Sequence, residues 1–280
     1  MFRRRRTEAA LRPSNHGDWR SFGSVAEAYD RVRTPVHEAP ARDLVALVAP
    51  PPGGRVLDVG TGTGVAAVPA LEAVGPHGLV VGIDPAVEML RLARSRGISR
   101  VAGAEAIDLP FRVATFDTVL ANFVIFILTR YDTALFDMVR VLRPGGSLGV
   151  TTWAGREDEF TRTWREVAES FATKEMLEDA RRKAMPWEDH FSQPSRLDDA
   201  LRAAGLRPVR IEQRSYRSSM SIESYLAGRE TGAMGRFLRH LLGETLWERF
   251  RSRVEEEFRT RFADPLGDTS EVLLGVGARP

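Results

Sequence analysis

The stretch Val56-Leu57-Asp58-Val59-Gly60-Thr61-Gly62-Thr63-Gly64 constrains this chain more than any other. A short apolar run ends in a turn too rich in glycine to continue as strand or helix, and helical periodicity follows. Glycines there let a ligand approach the backbone, and the next helix offers unpaired N–H groups to an anion. Open α/β sheets bind nucleotide-type ligands at this place, beyond the carboxyl ends of their strands. The spacing is G-x-G-x-G, with Val65 where a dinucleotide fingerprint needs its third glycine. Asp58 stands two positions before Gly60. A carboxylate aimed at a phosphate gains nothing, whereas one aimed at a cation gains a charge-assisted contact.

From that turn the chain alternates. Apolar runs predict strands over 55–59, 79–83, 98–102, 117–121 and 147–152, and helical spacing predicts helices over 65–74, 86–95 and 134–142. This rhythm predicts a parallel sheet with helices on both faces. Further on the pattern reads helix over 156–185 and 196–204, strand over 209–216, mostly helix over 221–262 and a last strand over 271–277. Residues 19–48 are helical in pattern, with Pro35 and Pro40 splitting them into two helices before a hard break at Pro50 to Gly54. The expected organisation is a disordered basic N-terminus over 1–17 and a helical lid over 18–50. A core over 51–280 follows, with lid insertions at about 153–195 and 218–265.

Composition removes several classes. With no cysteine, the chain has no disulfide scaffold, thiol nucleophile or cysteine-ligated metal. The longest apolar run, Val119 to Leu128, is interrupted by Asn122 and falls far short of the ~20 residues of a membrane span, so a cytoplasmic protein is expected. Forty basic residues face 38 acidic ones, for a net charge of +2. Arg3 to Arg6 is the densest basic cluster. It reads as a solvated chain end, with a nucleic-acid or membrane arm as the alternative.

Other motifs sit where strands are predicted to end. Asp84, in Gly82-Ile83-Asp84-Pro85, can accept both hydroxyls of a ribose or cap the helix that Pro85 opens. Gly103-Ala104-Glu105 follows the third strand, then Leu109-Pro110-Phe111 and Phe116-Asp117. Asn122 and Phe123 close the fourth strand, and Leu142-Arg143-Pro144-Gly145-Gly146 leads into the fifth.

In this order, from about Phe22 to Trp153, the motifs resemble the class I S-adenosylmethionine-dependent methyltransferases, in the small-molecule branch that includes ubiquinone/menaquinone-biosynthesis-like enzymes. The resemblance implies a Rossmann-like α/β fold. Its seven-stranded, mostly parallel sheet carries helices on both faces, with the last strand antiparallel beside the fifth. It implies S-adenosyl-L-methionine as cofactor and gives each position a role. Asp58 faces the methionine ammonium, and Gly60, Thr61 and Gly62 give backbone contacts around the amino-acid moiety. Asp84, with Pro85 after it, holds the ribose. Met89 packs on adenine, and Ala104 and Glu105 lie at the adenine edge. Asn122 offers its carbonyl to the ammonium, with Phe123 in the same cofactor-binding set. Tyr29, in Phe22-Gly23-Ser24-Val25-Ala26-Glu27-Ala28-Tyr29-Asp30, resembles the lid tyrosine and is also a catalytic candidate. Gly103 departs from the aspartate that many relatives carry for the adenine amine, and Ala86 replaces a frequent serine.

A sulfonium already activates its methyl group, so the protein has to align nucleophile, methyl and sulfur and exclude water. The implied reaction is in-line transfer to an O, N or C nucleophile of a hydrophobic or amphipathic small molecule, because both insertions are rich in aromatics: Trp153, Phe160, Trp164, Phe171, Trp187, Phe191, Tyr225 and Phe237. The same aromatics could equally be the lid's own core. His190, in Pro186-Trp187-Glu188-Asp189-His190-Phe191, is the first candidate for a general base, ahead of His37 and His240. Histidine spacing supports no metal site. Arginines 236, 239, 249, 251, 253, 259 and 261 could bind an anionic substrate, but interleaved glutamates favour a solvated face. Competing readings are a methyltransferase of RNA or protein, an NAD-dependent oxidoreductase and a non-catalytic S-adenosylmethionine binder. The chain shows neither a recognition domain nor a broad basic face, so nucleic acid is not the expected partner. Self-association stays open.

Overall fold

Seven strands form one sheet in a computed structural model that describes residues 22–155 and 158–280. The strands are β1 (Arg55–Val59), β2 (Leu79–Ile83), β3 (Arg100–Ala102), β4 (Phe116–Asn122), β5 (Leu142–Trp153), β6 (Val209–Met220) and β7 (Leu266–Ala278). Their order is β3-β2-β1-β4-β5-β7-β6. β7 runs antiparallel to β5 and β6, and the other six strands share one direction. This is the Rossmann-like sheet expected from the sequence. β1 and β4 are buried along nearly their whole length, as central strands covered on both faces must be. The Arg3–Arg6 run and the expected disordered end over 1–17 lie outside the described residues.

The helices are α1 (Ala26–Val48), α2 (Ala67–Val74), α3 (Val87–Ser95), α4 (Tyr131–Val141), α5 (Glu159–Glu169), α6 (Lys174–Ala184), α7 (Glu188–Phe191), α8 (Pro194–Ala203), α9 (Ile222–Thr231) and α10 (Ala233–Arg261). α1 corrects one expectation: Pro35 and Pro40 lie inside it and do not divide it. Each proline removes a donor, at a cost of about 3 kcal/mol in an isolated helix. Burial of Thr34, His37, Pro40, Ala41, Leu44, Val45 and Val48 outweighs that cost. Gly149 on β5 makes room for this contact, since a Cβ there would lie 2.4 Å from Val48 Cγ2.

The stretch read as one helix over 156–185 is two. Asp158 Oδ1 caps α5 by accepting from Thr161 N at 2.6 Å, and Thr173 Oγ1 caps α6 by accepting from Met176 N at 3.3 Å. β6 and β7 are longer than expected, paired from Val209↔Gly277 to Met220↔Leu266. That ribbon leads into α9 and α10, which kink at Gly243 (φ +64°).

Two hydrophobic cores result. The larger packs helices onto the sheet and includes Leu57, Ile83, Phe116, Leu120, Ile125 and Leu148. The second lies among the helices that follow β5 and β6, α5, α6, α9 and α10, and gathers Phe160, Trp164, Trp247, Phe250, Val254 and Phe258. Most of the lid aromatics therefore form the lid's own core, while Trp153, Trp187 and Phe191 pack against the larger one. The charged side of α10 is a laced surface, with Arg251, Arg253, Arg259 and Arg261 each ion-paired to glutamate. No helix among the described residues is long and apolar enough to cross a membrane.

Candidate active site

The glycine turn is built by steric exclusion. Gly60, Gly62 and Gly64 have φ of +65°, +53° and +91°. A Cβ on Gly60 would lie 2.6 Å from Val124 Cγ2, so the turn rests directly on the loop after β4. A Cβ on Gly82 would lie 2.9 Å from the Thr61 side chain, so β2 also needs its glycine.

Two carboxylates flank this turn. Asp58 is 1% exposed; its Oδ2 accepts from Thr61 Oγ1 at 2.7 Å, and its Oδ1 is buried with no hydrogen-bond partner among the described residues. Asp84 accepts from Gly62 N at 3.0 Å on Oδ2 and from Ala86 N at 2.8 Å on Oδ1. Asp84 thus ties the glycine turn to the start of α3, and its backbone is linked to Ala102 and Ala104. Burial pushes Asp58 up to about 7, and the nearby Asp84 charge adds to the rise. Burial likewise lifts Asp84 to about 6. Two desolvated carboxylates with no ion pair to either among the described residues form a site that gains from a cationic ligand.

The third wall comes from β4 and β5. Thr151 Oγ1 accepts from Phe123 N at 2.9 Å and donates to Asn122 Oδ1 at 2.7 Å. Phe123 is held at φ +56°, a strained value for a residue with a side chain. Its ring stacks on Trp153 with centroids 4.2 Å apart.

Helix α1 closes the site. Thr34 Oγ1 meets Thr63 Oγ1 of the glycine turn at 3.0 Å, and Asp30 pairs with Arg96 at 2.9 Å. Tyr29, Arg33 and His37 recur every four residues and so share one face of the helix. The His37 ring lies 4.8 Å from Phe123, 5.7 Å from Trp153 and 6.1 Å from Tyr29. Its Nδ1 is 3.5 Å from the Tyr29 hydroxyl, and its Nε2 is buried without a partner. Burial, with Arg33 nearby, depresses His37 to about 3, so the ring is neutral. Burial raises the Tyr29 phenol above its ordinary range, and the charges of Asp84, Arg33 and Arg236 also reach it.

The other expected positions are spread around this centre. Met89 is buried on α3, Pro85 and Glu105 are exposed, and Ala104 is half-buried. His190 lies in the one-turn helix α7, packed by Tyr131, Trp187 and Phe191 with centroids at 4.9–6.0 Å. Burial lowers its pKa, with Arg196 adding to the effect. The ring contacts that gather Tyr29, His37, Phe123 and Trp153 do not extend to it. Two further motifs are structural. Asp117 accepts from Arg55 N and Arg143 Nη1, and Arg140 donates to the carbonyls of Leu109 and Phe111.

Sequence reasoning ranked His37 below His190 and passed over Arg33. The signal was present in the four-residue spacing from Tyr29, but expecting a helix break at Pro35 hid it.

A family profile described as a methyltransferase domain matches residues 57–150. The chain is 32% identical over 203 residues to nocamycin O-methyltransferase of Saccharothrix syringae, covering 68% of this chain and 72% of that protein. It is 38% identical over 154 residues to a ubiquinone/menaquinone biosynthesis C-methyltransferase of Xanthomonas campestris, covering 51% of this chain and 59% of that one. In fold it is similar to a Haemonchus contortus phosphoethanolamine N-methyltransferase solved with S-adenosylhomocysteine. That match has a TM-score of 0.56 and 16% identity, over 94% of this chain and 60% of that one.

The chain belongs to the class I S-adenosylmethionine-dependent methyltransferases. Its cofactor is S-adenosyl-L-methionine, and the unpartnered Asp58 Oδ1 and the open glycine turn fit a cationic amino acid with a nucleoside attached.

Proposed function

We propose that this protein methylates an O, N or C nucleophile on a hydrophobic or amphipathic small molecule. The observation that carries this is the aromatic wall of Tyr29, His37, Phe123 and Trp153, set where α1 and the ends of β4 and β5 meet beside the glycine turn. The names of the O- and C-methyltransferase relatives, which refer to nocamycin and to quinone biosynthesis, are compatible with such an acceptor.

When bound, the cofactor supplies an activated methyl group. On this reading Asp58 and the Asn122 carbonyl hold its ammonium. Gly60, Thr61 and Gly62 surround the amino-acid moiety, and Asp84 with Pro85 holds the ribose. Met89, Ala104 and Glu105 frame the adenine, and Phe123 lines the reacting end. Tyr29 and the α1 face above it exclude water and orient the acceptor. His37, neutral and with Nε2 unpartnered among the described residues, can accept a hydrogen bond from an O–H or N–H of the acceptor and so orient it, but depressed to about 3 it is too weak to serve as the base. His190 is the base position for an acceptor that must lose a proton.

Incubation with methyl-labelled S-adenosylmethionine and separate small-molecule, RNA and protein fractions of a cell extract tests this. Label is expected in the small-molecule fraction, and label in RNA or protein alone contradicts the proposal.

A further inference from the structure

Arg33 is a half-buried cation that meets no anion among the described residues. Its Nε is shut off from solvent and has no hydrogen-bond partner. Among the described residues no carboxylate lies within ion-pair distance of it. Its stem runs along α9 at Gly228, where an added Cβ would come 3.5 Å from Arg33 Cδ. The next residue, Arg229, holds its guanidinium 4.7 Å over the Trp164 ring, with Nη1 3.4 Å from Thr161 Oγ1. Arg229 also forms no ion pair among the described residues.

The two cations lie within electrostatic reach of each other, and burial together with that repulsion pulls Arg33 below its ordinary pKa. Glu188 is also in reach, but Arg181 binds it at 3.1 Å and Asp189 at 2.6 Å. The other groups in reach of Arg33 are the phenols of Tyr29 and Tyr225, both held neutral by burial, and the neutral His37 ring.

A guanidinium partly withdrawn from water gains from an anion that meets it. Its planar fork matches a carboxylate, and it stays charged at any physiological pH. Arg33 stands four residues from both Tyr29 and His37, on the face that covers the methyl-transfer site. We propose that Arg33, with Arg229 beside it, anchors a carboxylate carried by the methyl acceptor. This rests on the small-molecule methyl-transfer reading and narrows it to amphipathic acids. A single carboxylate suits the site better than a dianion, because Glu188 and Asp189 leave one surplus negative charge around Arg181 next to the two free cations.

The test is calorimetric titration of the full chain saturated with S-adenosylhomocysteine. The probes are decanoate against decanamide and 2-naphthylacetate against 2-naphthylacetamide, with decyl phosphate as a third head group. At least one acid is expected to bind about tenfold or more tightly than its amide and, in the decyl series, more tightly than the phosphate. In Arg33→Gln the preference is expected to shrink to about twofold, and in Arg33→Lys to survive in part. Arg229→Gln is expected to weaken it, and carries the test with Arg33→Lys if Arg33→Gln does not fold. Equal binding of acid and amide overturns the proposal. So does failure of all five probes to bind, tighter binding of decyl phosphate, or an undiminished preference in Arg33→Gln. The preceding S-adenosylhomocysteine titration separates the two claims. Its failure sinks the methyl-transfer reading, whereas its success without a carboxylate preference sinks this inference alone.

Discussion

Replacing Asp58 by asparagine should stabilise the ligand-free protein while damaging its function. The folded protein holds Asp58 at about 7 against an ordinary 3.8, chiefly through burial. A carboxyl raised in this way favours folding below 3.8 and loses that contribution as pH rises to about 7. At about 1.4 kcal/mol per pH unit, the buried charge costs at most about 4 kcal/mol at pH 8. Asparagine has similar volume and can keep the bond from Thr61 Oγ1, but its amide adds donors to a site built to accept, which offsets roughly 1 kcal/mol or more. The variant is therefore expected to be more stable by about 1–3 kcal/mol at pH 8. Between pH 8 and 5.5 that gain should fall by about 2 kcal/mol, because the parent's carboxyl takes up its proton in this window. Losing the charge opposite an ammonium should weaken S-adenosylhomocysteine binding by about 1.5–3 kcal/mol, on the order of 10- to 150-fold. Urea unfolding of the ligand-free proteins at both pH values and calorimetry at pH 8 measure these quantities. A variant less stable by the same amount at both pH values, or one that binds as well as the parent, refutes the reasoning.

His37 titrates with the opposite sign. Its folded value is depressed from 6.5 to about 3, so its contribution is present above 6.5 and is lost as pH falls toward 3. His37→Gln should flatten the acid destabilisation by about 2 kcal/mol between pH 6.5 and 5, measured by urea unfolding. If His37 orients the acceptor, the same change should raise KM for the acceptor, whereas His190→Ala should lower kcat if His190 is the base, and an unchanged kcat in His190→Ala removes that role. Gly60→Ala meets both φ +65° and Val124 at 2.6 Å, so a loss of about 2–4 kcal/mol in stability is expected by urea unfolding, together with weakened S-adenosylhomocysteine binding.

The sheet was legible because each core strand is a short apolar run closed by glycine, proline or a polar residue, a pattern governed by local chemistry. The carboxylates were legible for the same reason: Asp58 and Asp84 sit at fixed offsets from strand ends. Helix α1 was misread because proline rules describe an isolated helix, whereas packing of Leu44 and Val48 on β5 settles the matter. The lid resisted because its aromatics serve either a core or a ligand, and only tertiary contacts separate Phe258, in the lid core, from Trp153, stacked on Phe123. Arg33 was hidden because a half-buried arginine looks like a surface one until the lack of an ion pair among the described residues is seen.

The central claim is that Asp58, Asp84 and the glycine turn bind S-adenosylmethionine. Calorimetric titration with S-adenosylhomocysteine and, separately, NAD, on the parent and on Asp84→Ala, tests it most directly. Micromolar binding of S-adenosylhomocysteine, no binding of NAD and a loss of about 1–3 kcal/mol in the variant are the expected results. Binding of NAD alone, or S-adenosylhomocysteine affinity untouched by the loss of Asp84, would contradict it.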